Sequence, residues 1–143
     1  MSQGLPDFYN AQVPIRAFVT KRLIGVDADS TVQEAAQRMV EFNISSLTVV
    51  ENEKLVGILT DTDLKTRVVA EGRPPDTPVR DVMTKELVSL DIGIPVHEAL
   101  VTMAQKDIKH VVVKENDDFV GMITFRDLIE MELHSLETYI SRE

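Results

Sequence analysis

The chain of 143 residues contains no cysteine and no tryptophan, and aromatic residues make up only 5% of it. Without cysteine it forms no disulfide bond, has no thiolate nucleophile and offers no cysteine ligand to zinc. We expect a reducing compartment, where disulfide-free chains are typical. Hydrophobic residues make up 43% of the chain, so a core must be packed mainly from Val, Ile, Leu and Met side chains.

Long apolar runs and a surplus of positive charge are also missing. The longest apolar stretch is Leu55–Leu59, far below the ~20 residues of a membrane-spanning helix. The start of the chain has no apolar segment typical of a signal peptide. The formal net charge is −9, whereas nucleic-acid binders usually carry a basic patch. We therefore expect a cytoplasmic protein that binds neither membrane nor nucleic acid.

The sequence repeats itself after 64 residues without a gap. Residues 14–64 align with residues 78–128, and 19 of these 51 positions are identical. Many of the remaining pairs exchange one apolar residue for another. Both copies end in the same pattern, Gly-x-x-Thr-x-x-Asp, written GILTDTD and GMITFRD. Since units this small seldom bury their apolar faces alone, we expect the two copies to pack against each other about a pseudo-twofold axis.

Each copy predicts the element order β-α-β-β-α, which makes the fold a mixed α/β (α+β) fold. Apolar residues at helical spacing over residues 30–42 predict the first helix. Two β-branched runs, residues 46–51 and 55–60, flank a polar turn and predict a hairpin. A second helix is expected to begin at Asp61 in the first copy and at Phe125 in the second.

The repeat and the helix-breaking residues divide the sequence into five parts. These are an N-terminal arm (1–13), a first repeat (14–70), a linker (71–77), a second repeat (78–131) and a C-terminal helix extension (132–143). Glycine and proline in and beside the linker stop a helix and favour an extended chain. The extension continues an apolar stripe at helical spacing, which packs either against its own domain or against a second subunit.

The order and spacing of these motifs resemble the cystathionine-β-synthase (CBS) domain. The resemblance rests on the lead-in DVMT of the second copy, on Glu-Ala and Met in a helix, on a Val-rich strand and on the Gly-x-x-Thr-x-x-Asp ending. The first copy departs from the lead-in, because it reads AFVT. Two such domains in tandem form a Bateman module, and the resemblance covers residues 14–131.

This resemblance implies a regulatory or sensor module that binds an adenosine-containing ligand in the cleft between the repeats. The candidates are AMP, ADP, ATP, S-adenosylmethionine and NAD(H), with Mg²⁺ only beside a bound nucleotide and no required cofactor. The resemblance also implies a homodimer. Because the two copies fill most of this sequence, we expect the module to signal in trans to a partner protein that the sequence does not name.

The aspartate that ends each copy is the first candidate ligand residue. In similar proteins it accepts hydrogen bonds from both ribose hydroxyls, which gives this role to Asp63 and Asp127. A carboxylate has acceptors to match a vicinal diol, and a helix N-terminus favours phosphate. The alternative is a helix cap, in which the aspartate and the preceding threonine satisfy the first free N–H groups. Both interpretations stay open.

The two copies differ in charge at positions that match phosphate contacts in the family. The second copy has Lys109, His110 and Arg126, where the first has two serines and a threonine. We predict that the Asp127 site binds a phosphorylated adenosine ligand, and that the Asp63 site binds weakly or takes a less charged ligand. Each cation also has a plainer interpretation as a solvated surface residue. The candidates for phosphate contact are Thr124, Lys109, His110, Arg126, Thr60, Thr84 and Thr20.

An adenine ring needs an apolar slot, and the family resemblance supplies candidates in both copies. They are Val88, Leu90, Ile108, Val111, Ile24, Val26, Ile44 and Leu47. The same residue types form protein cores, so burial in the fold is the alternative for each of them.

Catalysis is not expected from this sequence. No nucleophile and base stand beside a third, orienting group, and the three histidines lack the spacing of a metal site. Asp61 with Asp63 would suit Mg²⁺ against phosphates, but the start of a helix accounts for both. The alternative to a ligand sensor is a ligand-independent dimeric scaffold whose clefts have degenerated.

Overall fold

A computed structural model describes residues 14–18 and 23–130, which form two compact units. The first unit holds residues 23–87, and the second holds residues 14–18 together with 88–130. The N-terminal arm and the C-terminal extension predicted from the sequence lie outside the described residues. Within the described part, no helix is long and apolar enough to cross a membrane.

The first unit is a three-stranded sheet with one long helix. Its elements are β1 (Gly25–Asp27), α1 (Val32–Phe42), β2 (Ser46–Glu51), β3 (Lys54–Thr60), the short α2 (Asp61–Asp63), a π-helix (Leu64–Val69) and a 3₁₀ turn (Val79–Asp81). β1 pairs with β2 in parallel, and β2 pairs with β3 antiparallel. A parallel pair needs a crossover connection, which α1 supplies.

The second unit repeats this arrangement. Its elements are a 3₁₀ turn (Ile15–Phe18), β4 (Ser89–Asp91), α3 (Val96–Lys106), β5 (His110–Glu115), β6 (Asp118–Thr124) and α4, which covers residues 125–130 of the described chain. β4 pairs with β5 in parallel, and β5 pairs with β6 antiparallel. The predicted fold class and the predicted β-α-β-β-α order of both copies are confirmed.

Helix α1 lies on its sheet through an apolar face and begins two residues later than the predicted range of 30–42. The residues buried on this face are Val32, Ala35 and Met39. The N–H of Glu34 donates to Thr31 Oγ1 at 3.1 Å, which makes Thr31 the cap. Ser30 and Gln33 also have the spacing of a capping box in the sequence, but the structure uses Thr31 and Glu34 instead, because the backbone is still extended at Thr31 with ψ 157°.

The linker between the copies closes the start of α1. Its Thr77 and Pro75 carbonyls accept hydrogen bonds from the N–H groups of Val32 and Gln33, at 2.9 and 3.2 Å. Thr77 is buried, and its hydroxyl donates to the carbonyl of Pro74 at 2.7 Å. The first N–H groups of a helix have no acceptor within the helix. The carbonyls of the linker provide these acceptors for α1.

The first residues of each copy pack in the unit of the other copy. Ile15 is fully buried in the second unit, and its N–H donates to the carbonyl of Ile94 at 2.8 Å. Val79 is fully buried in the first unit, and its N–H donates to the carbonyl of Ser30 at 2.8 Å. The repeat boundaries drawn from the sequence follow similarity, whereas these units follow burial.

In each unit, an arginine from the first residues of the other copy forms an ion pair with that unit. In the first unit Arg80 Nη2 lies 2.5 Å from Asp29 Oδ1 and also contacts Glu51. In the second unit Arg16 Nη1 lies 3.0 Å from Glu115 Oε2. The hydrogen bond to Asp29, followed by the one to Glu51, raises the pKa of Arg80 above its ordinary value. Exposed ion pairs add little stability. We therefore expect these pairs mainly to fix the position of each segment against its sheet.

Both hairpin loops place two consecutive residues in the left-handed region. In the first loop φ is 52° at Asn52 and 65° at Glu53, and a two-residue loop of this kind favours glycine at its second position. We therefore expect Glu53→Gly to stabilise the protein by about 0.5–1 kcal/mol in urea denaturation. Lys54→Gly is the control. Lys54 is the first residue of β3, and glycine weakens a strand, so this variant should be less stable than the wild type. A loss in both variants would contradict the expectation.

Candidate functional site

The predicted polar residues lie at one end of each hairpin, where the second helix of the copy begins. In the second unit His110 and Thr124 are paired across β5 and β6, and the N–H of Phe125 donates to the carbonyl of Lys109 at 2.9 Å. The first unit has the same contact, from the N–H of Asp61 to the carbonyl of Ser45, at 2.9 Å. The fold therefore brings Lys109, His110 and Thr124 together beside the start of α4.

Thr60 and Asp63 form a complete capping box at the start of α2. The N–H of Asp63 donates to Thr60 Oγ1 at 3.1 Å, and the N–H of Thr60 donates to Asp63 Oδ2 at 3.0 Å. The helix-cap interpretation of this pair is confirmed. Asp63 is only 6% exposed, so a ligand that uses this carboxylate must reach a buried group.

Two further side chains hold the Asp63 carboxylate. The Thr84 hydroxyl lies 3.2 Å from both Asp63 oxygens, and Arg67 Nε lies 3.8 Å from Oδ1. Arg67 also donates from Nη1 to the carbonyls of Val82 and Met83, at 3.3 and 3.2 Å. The carboxylate thus ties the helix to the lead-in segment of the second copy, which packs in the first unit.

The glycine of the GILTDTD motif allows this lead-in to approach. Thr84 and Ile58 exchange two backbone hydrogen bonds, at 2.8 and 3.0 Å, so the lead-in pairs with β3. A Cβ atom at Gly57 would lie 2.8 Å from the Thr84 carbonyl oxygen and 2.9 Å from Met83 Sδ. Such distances do not occur in folded proteins, so position 57 needs glycine for close packing of the backbone.

Asp127 matches Asp63 in the second unit, but its carboxylate has a different hydrogen-bonding environment. The N–H of Asp127 donates to Thr124 Oγ1 at 3.0 Å, so Thr124 caps α4. Among residues 14–18 and 23–130, no group donates to the Asp127 carboxylate, which is half-buried. Arg126 is directed along the helix to Glu130, with Nε 3.0 Å from Oε1. The repeat therefore contains one carboxylate with several donors and one without any among these residues.

The remaining predicted residues divide by exposure. Leu47 and Val111 are at most 1% exposed and Val26 is 7% exposed, so these three belong to the cores and offer almost no surface to a ligand. Five candidates are half-buried beside the cores and keep accessible surface: Ile24, Ile44, Val88, Leu90 and Ile108. Thr20 lies outside the described residues. Lys109 is exposed, and His110 is half-buried.

Sequence comparison overlooked Arg67 and misplaced Thr84. The only local signal for Arg67 was its spacing of four residues from Asp63, which is common for ion pairs on a helix. The position that matches it in the second copy is Met131. Thr84 belongs to the second copy by sequence, but its hydroxyl serves the aspartate of the first.

In the part of the chain that the structure describes, no group of three or more His, Asp or Glu side chains is placed to hold a metal ion. A cavity of about 380 Å³ in the first unit is lined by other residues, namely Arg73, Arg80, Asp81, Met83 and Lys85. None of the predicted ligand residues contributes to that cavity.

Comparison with known proteins identifies the family. The profile of the CBS domain matches residues 15–70 and residues 79–134. The CBS domain-containing protein YhcV of Bacillus subtilis is 35% identical over 114 residues, which cover 80% of this chain and 81% of that protein.

Solved structures share the fold. A crystal structure of a conserved protein from Pyrococcus horikoshii is 38% identical with a TM-score of 0.80, and the match covers 85% of this chain and 92% of that one. The CBS domain pair of protein MJ0100, in complex with 5′-methylthioadenosine and S-adenosyl-L-methionine, is 23% identical with a TM-score of 0.74, covering 83% of this chain and 94% of that one. The chain described here belongs to the CBS-domain family and carries two CBS domains in tandem.

Proposed function

We propose that this protein is a regulatory sensor that binds an adenosine-containing ligand through Asp127. The observation that carries the proposal is the half-buried Asp127 carboxylate, to which no group among the described residues donates. A carboxylate without donors at the start of a helix has acceptors to offer to the two hydroxyls of a ribose. The complex of MJ0100 with S-adenosyl-L-methionine supports this ligand class for the fold.

Phosphate recognition at this site rests on the start of α4 and on nearby cations. The helix N-terminus favours an anion, and Lys109 adjoins it through the hydrogen bond from the N–H of Phe125 to its carbonyl. His110 lies opposite Thr124 in the same hairpin. Arg126 is 86% exposed at its side chain and, among residues 14–18 and 23–130, is paired only with Glu130, so it is available to a phosphate at little cost. AMP, ADP and ATP are therefore the preferred candidates.

The adenine ring would lie against the half-buried apolar residues of the same unit. Val88, Leu90 and Ile108 border its core and keep exposed surface. Burial of an aromatic ring against aliphatic side chains contributes through the area removed from water. The Asp63 site is proposed to bind more weakly, because its carboxylate already has donors from this chain.

The signal is proposed to pass to a partner protein in trans, from a homodimer. Helix α1 supports an association surface, because Val40 is 82% exposed. A shallow apolar depression on the same helix is lined by Gln33, Ala36, Gln37, Val40 and Glu41.

A ligand panel followed by thermal unfolding tests the proposal. AMP, ADP, ATP, S-adenosylmethionine and NAD(H) are each added with and without Mg²⁺. A ligand that binds only the folded protein stabilises it by about 2.7 kcal/mol at a hundredfold excess over Kd, so the unfolding temperature of the wild type should rise with at least one of them. Inosine monophosphate is the control for adenine recognition. Unchanged unfolding with the whole panel would exclude the sensor function.

The alternative is a dimeric scaffold that needs no ligand. Two large apolar residues favour it, because Val40 and Val69 are 82% and 76% exposed in the first unit. A scaffold predicts a stable dimer in light scattering and no response to any nucleotide. A sensor predicts a nucleotide response whether or not the dimer is stable, so the two measurements separate the functions.

A further inference from the structure

The Asp63 carboxylate is engaged from three directions by the chain itself. Thr60 donates its N–H to Oδ2 at 3.0 Å, the Thr84 hydroxyl lies 3.2 Å from both oxygens, and Arg67 adds its charge at 3.8 Å. A ribose diol needs the same acceptor sites on this carboxylate. The side chain of Asp63 is only 9% exposed, so a ligand would have to displace a protein donor to use it.

Arg67 lies in an unusual helix. After one short turn of α-helix, residues Leu64–Val69 form a π-helix, in which the N–H of Ala70 donates to the carbonyl of Lys65 at 2.9 Å. π-Helical turns are rare and often mark functional sites. Arg67 lies four residues after Asp63, on the same side of the helix, and its guanidinium also reaches the carbonyls of residues 82 and 83.

We infer that Arg67 is the specificity-determining residue of the first site, because it latches the Asp63 carboxylate to the lead-in segment and thereby disfavours a ribose there. This inference rests on the proposed function, in which the motif aspartate accepts the ribose hydroxyls. The second copy has Met131 at the matching position, which offers no cation to Asp127. Residue 67 is thus one source of the difference between the Asp63 and Asp127 sites.

Opening the latch releases several contacts together. Without the guanidinium of Arg67, the Asp63 carboxylate loses its ion pair and the carbonyls of Val82 and Met83 lose a donor, whereas the Thr84 hydroxyl keeps Asp63 as its acceptor. The two backbone hydrogen bonds between Thr84 and Ile58 then hold the lead-in with less support. Arg67→Met, which copies the residue of the second repeat, should therefore loosen residues 82–84 even without any ligand.

Amide hydrogen exchange of the ligand-free protein tests the latch directly. The wild type, Arg67→Met and the control Arg73→Met are compared. Arg73 belongs to the same unit and pairs only loosely with Glu71, at 4.0 Å, so its replacement removes the same charge without touching Asp63. Faster exchange of residues 82–84 in Arg67→Met alone is expected. Equal exchange in Arg67→Met and the wild type, or equal acceleration in both variants, would overturn the latch.

Titration with adenosine tests the consequence for specificity. Adenosine carries the diol but no phosphate, so the loss of a cation does not itself weaken its binding. We expect Arg67→Met to strengthen the weaker class of site about tenfold, and the added Asp63→Asn change to remove that gain. Weaker or unchanged binding in Arg67→Met would contradict the specificity role. If adenosine and AMP bind to neither protein, the proposed function fails, whereas the exchange experiment still decides the latch.

Discussion

Replacing Asp127 with alanine is expected to lower the affinity for AMP about 10- to 150-fold, the equivalent of losing a hydrogen bond to a charged group. The reason is that the Asp127 carboxylate has no donor among the described residues and is the proposed acceptor for the ribose hydroxyls. Stability should change little, because Thr124 and not the Asp127 side chain caps α4. Only the favourable interaction of an acid with the helix start is lost, about 0.3–1 kcal/mol. Titration calorimetry measures the first effect and urea denaturation the second.

The matched control is the same change at the equivalent position of the first copy. Asp63→Ala removes the acceptor of the Thr60 N–H and of the Thr84 hydroxyl in a buried site. Leaving buried donors unpaired costs about 1–3 kcal/mol, so this variant should be less stable while its strong AMP site is retained. If Asp63→Ala abolished AMP binding with unchanged stability, and Asp127→Ala did the reverse, the assignment of the two sites would be wrong.

Replacing Gly57 with alanine is expected to destabilise the protein by about 1–3 kcal/mol, the usual cost of overpacking. The added Cβ would lie 2.8 Å from the backbone oxygen of Thr84 and 2.9 Å from Met83 Sδ. The Met83 side chain is able to move, but the Thr84 carbonyl is held by its hydrogen bond from Ile58. Relief therefore requires the lead-in to shift as a whole. The midpoint of urea denaturation measures the loss.

Gly93→Ala serves as the control for Gly57→Ala. A Cβ atom at Gly93 would meet only the side-chain oxygen of Asp91, at 3.2 Å, and surface changes of this kind usually stay within about 0.5 kcal/mol. Hydrogen exchange at residues 83 and 84 should rise in Gly57→Ala and not in Gly93→Ala. Equal stability of both variants would show that the close approach of the lead-in to Gly57 does not contribute to the stability of the fold.

The sequence by itself determined the elements and the positions of the motif residues. Gapless similarity of residues 14–64 to residues 78–128 required two equal β-α-β-β-α copies. Helical and strand periodicity is a local property, so it correctly indicated the start of a helix at Asp61 and the strand Ser46–Glu51. The capping box of Thr60 with Asp63 also follows from local spacing.

Only the tertiary structure decided which side chains serve which carboxylate. Thr84 lies 21 residues from Asp63 in the chain, and no periodicity links the two positions. Similarity between the copies assigned Thr84 to the second copy, but burial of Val79 in the first core places its segment there. The contacts of Arg67 with the carbonyls of Val82 and Met83 likewise join segments that are distant in the sequence. Such contacts arise where separate segments are packed together to exclude water, and for this reason the inequality of Asp63 and Asp127 appears only in the folded chain.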